Sequence, residues 1–112
     1  MGWATAHIAV LSEGRTVRFR PHGNSMRGRV ASGDLVQVAP CRADPVKGDV
    51  VLCTVNGAHY LHLVTAVQNG RFQISNNKRH VNGWTGRDNI YGILEAVNPT
   101  GELPMVAFER SP

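Results

Sequence analysis

The chain has 112 residues, a formal charge of +4, an apolar fraction of 42% and a charged fraction of 18%. This length holds one domain with a modest core and excludes two. The composition is that of a folded globular chain and excludes a disordered one.

We divide that domain, residues 1–112, into an N-terminal segment (1–14), a core (15–97) and a C-terminal tail or edge strand (98–112). The arginines are scattered from Arg15 to Arg110 without forming a block. The positive charge therefore reads as a solvated basic surface and argues against nucleic acid as a partner. No run of eighteen apolar residues exists, so no membrane span is expected. Residues 1–12 lack a basic n-region, and Ile8-Ala9-Val10-Leu11 is too short for a secretory h-region, which makes the cytoplasm the expected location. Cys41 and Cys53 form no CxxC pair. Cys53, inside Val50-Val51-Leu52-Cys53, reads as a small buried hydrophobe, and neither a metal site nor a required disulfide is expected.

In chain order, residues 3–11 predict a short helix, with Trp3, His7, Val10 and Leu11 near one face and Ser12-Glu13-Gly14 ending it. Residues 16–20 alternate with period two and predict a strand that Pro21 breaks. Residues 35–38 predict the next strand, followed by a loop over 39–47 that holds Pro40 and Pro45. Residues 50–55 and 59–67 predict two strands joined at Asn56-Gly57, a strong hairpin signal because both residues tolerate positive φ. Asn69-Gly70 is a second such signal, leading into a strand at 71–74. Residues 75–87 are polar and read as a long loop. Residues 89–97 resume as a strand, Asn98-Pro99-Thr100-Gly101 reads as a turn, and Pro104 weakens any edge strand over 103–108. The expectation is a mainly β domain of consecutive hairpins with one short helix.

Gly23-Asn24-Ser25-Met26 places a hydroxyl in a glycine-led turn, which can expose an Oγ and aim backbone N–H groups at what it attacks. Such a serine needs a base within roughly 2.6–3.2 Å of the Oγ. Of the five histidines, His7 reads as a packing or surface residue, and His22 lies too close to Ser25 in the same turn. His59 and His62 have opposite parity and face opposite sides of one strand. Tyr60, His62 and Val64 share a face, and partial desolvation there favours the neutral imidazole that a base requires. Considered alone, His62 reads better as a histidine satisfied within a sheet than as a base. Asp34 and Asp49 read as turn-bonding residues.

The order of these segments resembles the signal-peptidase/LexA superfamily of serine peptidases. Gly23-Asn24-Ser25-Met26 is similar to its nucleophile box. Gly33-Asp34-Leu35-Val36-Gln37-Val38 and Val46-Lys47-Gly48-Asp49-Val50-Val51 are similar to its two Gly-Asp strands. Leu61-His62-Leu63-Val64 is similar to the strand that carries its base, lysine in bacterial signal peptidases and LexA-type repressors and histidine in archaeal and endoplasmic-reticulum signal peptidases. Ile74-Ser75-Asn76-Asn77 and the segment 84–92 resemble the family's Gly-Asp-Asn and closing segments. The resemblance implies a LexA/signal-peptidase-like β-fold with Ser25 as nucleophile and His62 as general base. It also implies an oxyanion hole from the backbone N–H groups of Ser25 and Asn24, a cleft containing Gly23 and Met26, and no cofactor. The implied substrate is an extended peptide with small side chains, read along exposed strand edges.

Three departures stand out. Leu63 follows the base where histidine-type members carry arginine. Ser75 replaces the acid that would orient the imidazole, which leaves Asp88 as the candidate orienting acid. Neither the membrane-anchoring nor the DNA-binding segment of larger members of that superfamily is expected within these 112 residues. The competing expectation is a catalytically weak or inactive module of the same fold, used for protein binding or homodimerisation.

Overall fold

Short apolar alternations separated by Gly- and Asn-led turns form one antiparallel sheet in the computed structural model, which describes residues 3–21, 30 and 33–99. A helix α1 (Thr5–Ser12) precedes β1 (Val17–Phe19), β2 (Val36–Pro40), β3 (Val50–Val55) and β4 (Ala58–Gln68). Next come β5 (Arg71–Ser75), β6 (Val81–Gly86), a 3₁₀ turn (Arg87–Asn89) and β7 (Ile90–Val97). The described residues are thus mainly β with one short α-helix. His22, the Gly23–Met26 turn with Asn24 and Ser25, Thr100, Gly101 and the tail segment 103–108 lie outside the described residues.

Both predicted hairpin turns form, with positive φ at Asn56 and Gly57 and at Asn69 and Gly70. These two dipeptides give the two-residue connection whose twist matches the flanking strands. The expectation of consecutive hairpins holds for β1–β2 and for the meander β3–β4–β5–β6, and fails for β7. The sheet order is β1-β2-β7-β3-β4-β5-β6. Strand β7, the last among the described residues, returns to pair with β2 on one side and β3 on the other. Its sequence suits an interior place: Ile90 and Ile93 serve one face, Leu94 and Val97 the other, and pairing on both sides satisfies its backbone. The expected loop over 75–87 is also corrected. Val81–Gly86 is an edge strand paired with β5. Two glycines and a polar run hide its strand character from pattern reading, because an edge strand needs only one paired side.

The sheet has a core on each face. Val17, Phe19, Val36, Val38, Val50, Leu52 and Leu61 pack beneath α1 with Leu11 and Val30. Val51, Cys53, Val55, Val64, Phe72, Ile74 and Ile90 form the second core on the opposite face. Alternation along each strand divides these residues between the cores, and each fully buried side chain of this size contributes about 1.5–3 kcal/mol. The sheet curls over the second core, bringing β6 against β3. Thr85 Oγ1 donates to the Thr54 carbonyl at 2.8 Å.

Helix α1 approaches the sheet closely at Gly92. A Cβ there would lie 2.6 Å from Val38 Cγ1, 2.8 Å from Leu11 Cδ1 and 3.0 Å from the Ala39 carbonyl oxygen. Arg87 ties the connection between β2 and β3 to the far end of the sheet. Its guanidinium donates to the Cys41 and Ile90 carbonyls and pairs with Asp44.

Candidate functional site

His62 lies midway along β4, 7% exposed, on the face of the second core. The face assignment follows from register: His62 pairs with Val51 as Tyr60 pairs with Cys53, and all four project to the same side. His59 takes the other face, where its Nδ1 meets Thr54 Oγ1 at 2.8 Å. The parity argument therefore holds, and the two histidines do not share a site.

Tyr60 stacks on the His62 ring, with centroids 4.8 Å apart and planes inclined by 29°. Nδ1 of His62 lies 2.6 Å from Asn82 Oδ1 on β6. An amide oxygen only accepts, so Nδ1 carries a proton and donates. In the neutral ring that tautomer puts the lone pair on Nε2. Burial pushes the His62 pKa below its ordinary value; the Asn82 hydrogen bond opposes this, and the nearby charge of His80 adds to it. The net effect favours the neutral imidazole at neutral pH, the form able to accept a proton.

From His62 the same face continues across the sheet through Val51, Ile93 and Ala39, successive partners in register. Beyond them Arg18 Nε donates to Gln37 Oε1 at 2.8 Å, and the Gln37 amide reaches Glu95. Val51 is fully buried, and the half-buried Ile93 and Ala39 continue this apolar row to a polar edge. The flanks of residues 22–32, the segment that contains Ser25, are tied together at the end of β1. Arg20 Nη1 donates to the Gly33 carbonyl at 2.7 Å, and Gly33 N donates to the Pro21 carbonyl at 3.4 Å. Val30 is buried with Phe19 and Val36.

Of the remaining candidates, Asp49, Asp34 and Ser75 have structural partners. Asp49 Oδ2 accepts from the Val46 N–H at 2.8 Å, the turn-bonding role expected of it. Asp34 accepts from Asn98 Nδ2 at 3.2 Å, and Asn98 Oδ1 accepts from the Leu35 N–H at 2.9 Å. Ser75 lies on the face opposite His62, paired with Leu63, and its hydroxyl meets Thr65 Oγ1 at 2.8 Å. Asp88 is exposed in the 3₁₀ turn and lines an open polar depression with Asn56, Arg71 and Trp84. The group on His62 Nδ1 is Asn82.

Sequence reasoning missed Asn82 because it assigned the whole segment to a loop. The available signal was Asn82-Gly83, a third Asn-Gly dipeptide, here inside a strand rather than between two. A glycine within a strand is a mark of a bulge.

No family model matches the chain, and no curated protein matches it.

Proposed function

We propose that this protein is a serine endopeptidase of the signal-peptidase/LexA type, with Ser25 as nucleophile and His62 as general base. The observation that carries the reading is His62 itself: buried on the strand that the motif order designates, biased to the neutral form, with Nδ1 anchored and the lone pair on Nε2. Ser25 Oγ attacks a peptide carbonyl as its proton passes to His62 Nε2. The backbone N–H groups of Ser25 and Asn24 stabilise the oxyanion. His62 then returns the proton to the leaving amine, and water, deprotonated by the same nitrogen, releases the acyl group. The half-buried side chains of Ile93 and Ala39, next to Val51 in register, suit an extended substrate with small side chains.

An amide in place of a carboxylate on Nδ1 favours a second reading, a peptidase-like module with little turnover that binds a protein partner. The two separate in one experiment. A fluorophosphonate probe is expected to label Ser25, to fail on Ser25→Ala and to react roughly 10²–10⁴-fold more slowly with His62→Ala. Labelling unaffected by His62→Ala would overturn the peptidase mechanism, and absence of labelling across pH 5–9 would favour the binding module.

A further inference from the structure

We infer that Asn82 is the positioning residue for His62, occupying the place an orienting acid would take and delivered there by a bulge in β6. The inference rests on the proposed role of His62 as base, and it concerns which group sets the orientation and tautomer of that ring.

Register supplies the first argument. Ile74 pairs with Gly83 and Ser75 pairs with Val81, so Asn82 is an extra residue without a Cα partner on β5. In an unbroken ladder Asn82 would sit opposite Ser75 and share its face, on the far side of the sheet from His62. The bulge releases Asn82 from that row and turns its amide toward the imidazole.

The bulge is held from both directions. Gly83 has φ +144°, a conformation L side chains rarely adopt, and a Cβ there would lie 3.0 Å from Val55 Cγ1 and 3.1 Å from Asn56 Nδ2. On the other side, Asn76 clamps the turn between β5 and β6. Its Oδ1 accepts from the Lys78 N–H at 2.7 Å and the His80 N–H at 3.0 Å, and its own N–H donates to the His80 carbonyl at 2.9 Å. A position this constrained keeps Oδ1 of Asn82 on Nδ1 at 2.6 Å.

The chemistry differs from that of a carboxylate. An amide fixes the ring and its tautomer, yet it lacks the charge that would stabilise the imidazolium formed when Nε2 takes a proton. Among the described residues, the other ionisable groups on this face are Tyr60, stacked on the ring, Cys53 on β3, Cys41 against the same core, His80 in the turn before β6, and Arg18 and Glu95 at the polar edge beyond Ala39. None supplies a carboxylate to the Nδ1 position that Asn82 fills.

The test is nitrogen NMR of histidine-labelled full-length protein, with His62 assigned through His62→Gln, alongside fluorophosphonate labelling of the same samples. Wild type is expected to show Nδ1 protonated and Nε2 unprotonated. Asn82→Ala should shift the ring toward the Nε2–H tautomer and slow labelling roughly ten- to a hundredfold, the usual scale for losing a supporting partner. Asn82→Asp should restore the Nδ1–H tautomer, raise the His62 titration midpoint by about one unit or more and recover the labelling rate. An unchanged tautomer and rate in folded Asn82→Ala would overturn the positioning role while leaving the peptidase reading intact. If Asn82→Ala does not fold, an unmoved His62 midpoint in Asn82→Asp overturns it equally. A tautomer that responds to Asn82 in a protein that never labels supports the positioning role and defeats the peptidase reading.

Discussion

Replacing Gly92 with alanine tests the seam between α1 and the sheet. The added methyl would meet Val38 Cγ1 at 2.6 Å, Leu11 Cδ1 at 2.8 Å and the Ala39 carbonyl oxygen at 3.0 Å. The φ of Gly92 is not positive, so backbone strain does not enter and the effect is one of space. Leu11 and Val38 are both buried in the first core, and the Ala39 oxygen belongs to a paired strand, so relief requires repacking around the new methyl. Overpacking of this kind costs about 1–3 kcal/mol. Restricting the unfolded chain returns about 0.4–1 kcal/mol. At the centre of these ranges the expected net loss is about 1.3 kcal/mol, a fall in Tm of roughly 5–8 °C for a chain of this length.

Urea and thermal unfolding followed by circular dichroism measure it. Gly86→Ala is the control: no atom lies within 4 Å of its added Cβ, and its φ of −87° is ordinary, so it should be neutral or slightly stabilising. Val38→Ala removes the nearest obstacle, and combined with Gly92→Ala it should show a favourable coupling of about 1 kcal/mol. A Gly92→Ala protein as stable as wild type, or one additive with Val38→Ala, would refute the close-approach argument.

Stability should also depend on pH. Burial lowers the pKa of both His62 and His7 in the folded protein. The unfolded chain therefore binds more protons as pH falls through about 6.5, and stability declines from there down to the folded values, by at most about 1.4 kcal/mol per pH unit for each group. Urea midpoints between pH 7.5 and 5 should show this decline, and His62→Gln should flatten it; an unchanged slope in that variant would remove His62 from the account. Arg87→Ala should cost roughly 2–4 kcal/mol, because it leaves carbonyl partners at Cys41 and Ile90 without their charged donor. Hydrogen exchange should then quicken first in the connection between β2 and β3, and uniform quickening across the sheet would contradict that assignment.

Much of the fold was legible locally. Asn56-Gly57 and Asn69-Gly70 set two turns through φ values that few residues accept. Strict alternation along β4 separated His59 from His62 before any partner strand was known. The candidate base was legible for the same reason, since parity and apolar neighbours are properties of one strand. Its partner was not, because Asn82 is 20 residues away and reaches the ring only through a register shift between β5 and β6.

The amino-acid order thus settles turns, strand faces and the apolar content of each segment, because these depend on φ preferences and a two-residue period. Tertiary structure alone decides that β7 enters between β2 and β3, that Val81–Gly86 finds a paired edge, that Gly92 admits α1, and that a bulge carries Asn82 to His62. Each of these depends on hydrogen-bond partners and on space supplied by distant residues, which no local pattern encodes.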